Sequence, residues 1–238
     1  MKYNNYSFTK EANSYYDEGL RAYMLSIYQN MSMALGISAL VAYIVGNSAP
    51  VAMVIFTTPL VYVVMFAPLI HIFFFGRKLM SMNKQQDMLH LGIFAILNGL
   101  SLGSIFLIYT TASIAKTFFV TASTFGVMSI YGYTTKKDLT AAGSFVYMGL
   151  IGLIIASLIN LFLRSAALDF AVSFIGVGIF TILTAYDTQK LKSIYYSMNG
   201  TTARAGSIAV YGALTLYLDF INLFTMLLHF FGIRRSDD

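Results

Sequence analysis

The chain has 238 residues, 58% of them hydrophobic and 11% charged, whereas ordinary soluble domains carry roughly 25% charged residues. The composition is that of a protein built for lipid. With no cysteine there is no disulfide framework, thiolate nucleophile or Cys-based metal site, and His71, His90 and His229 lie too far apart for a zinc-hydrolase motif. The formal charge of +5 is scattered among connections rather than gathered in a stripe, which suits membrane topology and argues against nucleic acid.

Residues 1–24 are polar and mixed in charge, with no apolar core or small-residue cleavage site. They are expected to form a retained cytoplasmic tail rather than a removable signal. At about 20 apolar residues per crossing, the chain predicts spans at 25–46, 51–75, 89–110, 117–133, 144–163, 168–187 and 210–232. In the second, Pro59 and Pro68 each remove a helical hydrogen bond and read either as a static kink or as a hinge. The third carries Gly92, Gly99 and Gly103 for close helix approach and a stripe of Asn98, Ser101 and Ser104. The fourth is the shortest, squeezed by Lys116 and the stretch Tyr131–Lys137. Gly149 and Gly152, with Ser157 and Asn160, give the fifth the same two features. The sixth carries Gly176 and Gly178, opens at Asp169, where an acid suits the positive helix end, and closes at Asp187. The seventh runs to 232 and contains Asp219, Asn222 and, near its outer end, His229, read as an interfacial or packing residue.

Apolar residues run continuously instead of alternating, which excludes a barrel. The expectation is an all-α polytopic membrane protein with one seven-helix transmembrane domain, 25–233, and a short C-terminal tail, 234–238. Eleven Lys and Arg residues fall in the tail and the even-numbered connections; Lys116, Arg164, Arg234 and Arg235 fall on the opposite side. The positive-inside rule therefore puts the N-terminus in the cytoplasm. Arg234 and Arg235 fit that count better if the last segment dips in and returns, so a re-entrant ending stays open. Arg77, Lys78, Lys190 and Lys192 sit at inner helix ends and can snorkel to headgroups.

An ionised Asp at the centre of a bilayer helix costs about 2.5–3.5 kcal/mol on insertion scales, so such acids face a protein interior or a watery path. Asp219, about nine residues into the seventh helix, lies on the order of 13 Å from its inner end. Asp187 lies near the cytosolic end of the sixth. If tilt or a late helix start brings them to one depth, the two carboxylates titrate as a coupled pair. In the other reading Asp187 is interfacial and Asp219 is satisfied by a nearby Tyr or Asn. Asn222 falls on the face of Asp219, where it can bond to the acid or help to coordinate a cation. The stripes containing Asn98 and Asn160 read first as interhelical hydrogen bonding and second as pore lining. No nucleophile, base and orienter can be assembled, so an enzyme is not expected. The absence of Lys from the seventh helix excludes a retinal Schiff base there.

The segment ALTLYLDFINLFTMLLHFFG (213–232) resembles the C-terminal signature of the Bax inhibitor, or transmembrane Bax-inhibitor-motif, family. LTAYDTQKLK (183–192) resembles the segment that precedes it, and NGLSLGSIF (98–106) and SLINLFLRS (157–165) extend the likeness. The resemblance implies a bacterial member in which six helices wrap around a central C-terminal helix, set in the inner (plasma) membrane. It also implies a pH-sensitive calcium leak with Asp187 and Asp219 as the paired-aspartate sensor. The proton-sharing pair favours a closed path, and ionisation favours opening and transient Ca²⁺ binding at the two acids. Asn222, Asn98, Asn160 and Arg77 become pore or supporting residues. Where relatives carry a basic residue late in the last helix this chain has His229. The second span has no Arg or Lys between Pro50 and Phe75, so a basic latch of the kind some members have is absent or displaced to Arg77. The partners implied are the lipid bilayer, protons and Ca²⁺ as permeant ion, with no cofactor and no nucleic acid. The alternative is a non-channel regulatory protein that binds a membrane protease or a cell-death component.

Overall fold

A computed structural model describes residues 3–76, 78, 83–198 and 205–235, with side chains from Glu18 onward. Nine helices run through them: α1 (Tyr3–Asn47), α2 (Ala49–Phe56), α3 (Leu60–Phe75), α4 (Lys84–Leu102), α5 (Ile105–Ile108), α6 (Thr111–Thr134), α7 (Thr140–Leu163), α8 (Ala166–Ser197) and α9 (Ala205–Phe231). Among the described residues the one β-type pairing is an isolated bridge between Tyr109 and Arg234. Six helical segments are long and apolar enough to cross a membrane, and a seventh results if the bent pair α2–α3 counts as one span. The chain is an all-α polytopic membrane protein.

Several boundaries differ from expectation for local reasons. The helix that carries the first apolar segment begins already at Tyr3. The second segment bends by 81° between α2 and α3. The Thr57 and Thr58 hydroxyls donate to the carbonyls of Met53 and Val54, each at 2.6 Å, and Pro59 has no N–H with which to continue the ladder. Pro68 sits inside α3 without ending it. The fourth span reaches 24 residues, because Thr110 caps its start and Lys116 points outward, so the charge does not shorten the helix. The helix of the sixth continues ten residues past Asp187 to Ser197. The last segment is an uninterrupted helix of 27 residues, about 40 Å long and sufficient for a full crossing. The broken segment is therefore the second rather than the seventh.

Helix α9 occupies the centre. Half of its apolar stretch is buried, against 11% for α7, and it packs on α1, α4, α6 and α8. Leu216, Tyr217 and Leu223 are sealed in this contact. A Cβ on Gly99 would lie 2.8 Å from the Ser38 carbonyl and 2.7 Å from the Val41 side chain, so α1 and α4 meet only because that residue is Gly. Gly103, Gly149 and Gly176 are also in close contacts, whereas Gly92, Gly152 and Gly178 face open space. α3 and α7 are peripheral, joined chiefly to α4 and α8 respectively. Beyond α9 the chain is tied to the α5–α6 junction: the Thr110 amide donates to the Ile233 carbonyl at 3.0 Å and the Arg235 amide to the Ile108 carbonyl at 2.9 Å. The C-terminal end thus lies at the same end of the bundle as the link from α4 to α6.

Candidate functional site

Asp187 lies about 15 Å from the end of α8, because the amphipathic stretch TQKLKSIYYS extends that helix and buries Leu191. It is an interior residue, not the interfacial one its place in the apolar run suggests. Asp219 lies about 21 Å from the start of α9, since that helix begins at Ala205. The extension of α8 past Asp187 and the early start of α9 bring the two acids to one depth. Asp187 is 2% exposed and Asp219 5%, and their carboxyl groups are within hydrogen-bonding reach of each other. Asp219 Oδ2 has no hydrogen-bond partner among the described residues. The hydroxyl of Tyr147, on α7, donates to Asp187 Oδ1 at 3.3 Å.

The pair opens into a half-open cavity of about 660 Å³ lined by residues of α3, α7, α8 and α9. Its polar lining consists of Tyr147, Ser157, Asp187, Tyr211, Thr215, Asp219 and Asn222; the rest is apolar. Asn222 lies one turn outward of Asp219 and spends its amide nitrogen on the Leu218 carbonyl at 2.8 Å. Its side-chain oxygen belongs to the cavity's stock of hard oxygen donors. Lys190 interacts electrostatically with both carboxylates, and its ammonium stands 5.8 Å from the rings of Tyr147 and Tyr186. Two acids, an amide, a phenol and a nearby lysine can exchange a proton and hold a hard cation weakly.

The other residues singled out from the sequence fall elsewhere. Asn98 donates to the Phe94 carbonyl within α4 at 3.1 Å, away from the acids. Asn160 caps α7 by accepting from the Ser165 amide at 2.9 Å. Arg77 lies outside the described residues, so the displaced latch cannot be located. Asp169 sits in the first turn of α8, and His229 is exposed beside Tyr109. Sequence reasoning passed over Tyr147, which no spacing signals, and assigned Lys190 to headgroups although it stands three residues after Asp187, on the same face. It also passed over Asp87, fully buried in the first turn of α4 with neither carboxylate oxygen paired.

Comparison with known proteins bears on what the pair belongs to. The family described as inhibitor of apoptosis-promoting Bax1 matches residues 20–236. An uncharacterised protein of Rickettsia prowazekii is 47% identical over 232 residues, covering 96% of both chains. The inner membrane protein YbhL of Escherichia coli is 45% identical over 219 residues, 91% of this chain and 94% of its own. An uncharacterised membrane protein of Streptococcus pyogenes is 34% identical over 223 residues, 93% of this chain and 96% of its own.

Proposed function

The chain belongs to the Bax inhibitor family, and on that premise we propose that it is a pH-sensitive leak path for calcium through a membrane, gated by Asp187 and Asp219. The supporting observation is the meeting of the two acids in a cavity: both are buried, they are within hydrogen-bonding reach, and one oxygen has no hydrogen-bond partner among the described residues. A carboxyl pair in so dry a setting is held together by a shared proton, because two bare charges there repel. Loss of that proton turns a hydrogen bond into a repulsion across the α8–α9 contact. It also leaves two anionic oxygens beside Asn222, a donor set that suits Ca²⁺ and is sparse enough to release it.

By this reading the pair holds α8 against α9 when protonated and loosens that contact when ionised, so flux rises with pH. The N-terminus lies in the cytoplasm, and the inner membrane of a bacterium is the compartment, as the name of the Escherichia coli relative states for that protein. The test is calcium-dye flux into liposomes across pH, for the wild type and Asp219→Asn. A wild-type flux that rises toward high pH, and loses that rise in the variant, is expected. Identical pH-independent traces would remove the sensor, and no flux in either protein would remove the channel.

A further inference from the structure

We propose that His71 and His90 form a proton-sensitive clasp that holds α3 as the side wall of the aspartate cavity, and that protonation of both imidazoles frees α3 from α4. The functional consequence rests on the reading of that cavity as the ion path; the motion itself does not.

Helix α3 supplies Leu69, Ile72 and Gly76 to the wall of the cavity, yet its packing partners are chiefly α4 and the short α2. Phe66, Leu69, Ile70, Phe73 and Phe74 are more than half exposed. In lipid, such apolar surface gives no hydrophobic drive toward the bundle, so packing and polar contacts must hold the helix. His71 Nε2 and His90 Nδ1 lie 3.4 Å apart across the α3–α4 contact. The rings around them are close: Phe75 stacks on His90 at 4.4 Å between centroids, and His71 lies 5.0 Å from Phe75 and 6.0 Å from Phe94. At the other end of α3 is the 81° bend, where Pro59 leaves the backbone ladder interrupted. The helix is therefore jointed at one end and fastened near the other.

A hydrogen bond between two imidazoles needs one donor and one lone pair, so at least one ring must be neutral. With both protonated, two donors and two positive charges face each other at 3.4 Å. Lys78, whose ammonium lies 5.9 Å from the Phe75 ring, adds a third positive charge nearby. Among the described side chains, the other titratable groups on the elements packed against α3 and α4 are Tyr62 on α3, Lys84 and Asp87 on α4, Glu18, Arg21, Tyr23, Tyr28 and Tyr43 on α1, and Tyr211, Tyr217, Asp219 and His229 on α9; α2 carries none, and Tyr147 on α7 and Asp187 and Lys190 on α8 stand at the aspartate pair. Acid thus opens the clasp, whereas the aspartate pair ionises as pH rises. The two devices respond to pH in opposite senses, and a substitution in either one separates them.

The absence of cysteine allows nitroxide labels at Phe74→Cys and Met148→Cys. Both positions are exposed, on the two peripheral helices that flank the cavity. Pulsed electron resonance in lipid nanodiscs should show the label separation lengthening as pH is lowered from about 7 to about 4, beyond the ordinary His value of about 6.5, because the first positive imidazole opposes protonation of the second. His71→Gln, which can still hydrogen-bond, and His71→Phe, which keeps the ring packing, should both hold one separation at all pH values. Thermal unfolding of the same samples establishes that they are folded. Asp219→Asn should retain the acid-induced lengthening. No lengthening in the labelled parent, an unchanged response in both His71 variants, or loss of the response in Asp219→Asn would overturn the clasp. A pH-dependent separation in a protein that carries no calcium would instead overturn the channel and leave the clasp standing.

Discussion

Tyr217 and Asp219 stand two residues apart on α9, about 200° around the helix, and are treated in opposite ways. The Tyr217 hydroxyl lies 2.7 Å from Ser38 Oγ, which in turn donates to the Ala95 carbonyl at 2.7 Å and the Ala34 carbonyl at 3.0 Å. Gly99 brings α1 and α4 close enough to seal that node. Asp219 looks instead into a cavity of about 660 Å³, with one oxygen that has no hydrogen-bond partner among the described residues. An unsatisfied buried polar group costs about 1–3 kcal/mol. The satisfied flank is the stable frame, and the unsatisfied one is where the protein keeps a group that stability alone would discard.

The contrast is broken most severely on the closed flank. Gly99→Leu forces α1 off α4 and should cost about 1–3 kcal/mol or more, read as a lowered unfolding midpoint in detergent. Gly152→Leu on α7, where an added Cβ meets nothing within 4 Å, should stay within about 0.5 kcal/mol of the wild type. If both fall equally, the flanks do not differ in packing. Tyr217→Phe removes one hydrogen bond from the node and should cost about 0.5–1.5 kcal/mol without altering any pH response. Asp219→Leu should have the opposite sign, leaving the midpoint unchanged or raised because a desolvated acid is gone, while abolishing pH-dependent flux. A marked loss of stability there would mean that the acid is structural after all. The smallest effect belongs to Asp138, before α7, whose carboxylate accepts from the Thr140 amide at 2.9 Å and hydroxyl at 2.6 Å. These bonds hold it below the usual carboxylate range. Its support of the α7 start is complete above about pH 4, the ordinary Asp value, and is lost as pH falls through the lower folded-state value. The hydrogen-exchange protection factor of the first α7 turn, taken relative to the intrinsic exchange rate at each pH, should therefore fall at low pH, and in Asp138→Asn should lose that pH dependence.

Much of this was legible in the sequence, and unevenly so. Asp219 stood out because an acid in an apolar run is anomalous in any arrangement, and Asn222 followed from helical spacing. Asn98 and Asn160 showed the same kind of spacing but spend their side chains on a backbone carbonyl and a helix cap. Periodicity reports which face a residue occupies, not what that face meets. Tyr147 was invisible for that reason: one tyrosine among seventeen, distinguished only by the acid across from it. The placement of the break was missed too. The charges of Arg234 and Arg235 drew suspicion to the last segment, whereas the backbone is interrupted at Thr57–Pro59.

By itself the sequence determined that the chain is a bundle of membrane-spanning helices with one costly acid in its last segment, because hydropathy and charge are sums over neighbouring residues. Tertiary structure decided that Asp187 is the acid that meets it, that a cavity rather than a packed contact lies beside them, and that two histidines nineteen residues apart meet where α3 packs on α4. Those outcomes depend on the relative depth and rotation of separate helices. Such quantities are set by how side chains such as Gly99 and Leu191 let the helices approach, and no local pattern encodes them.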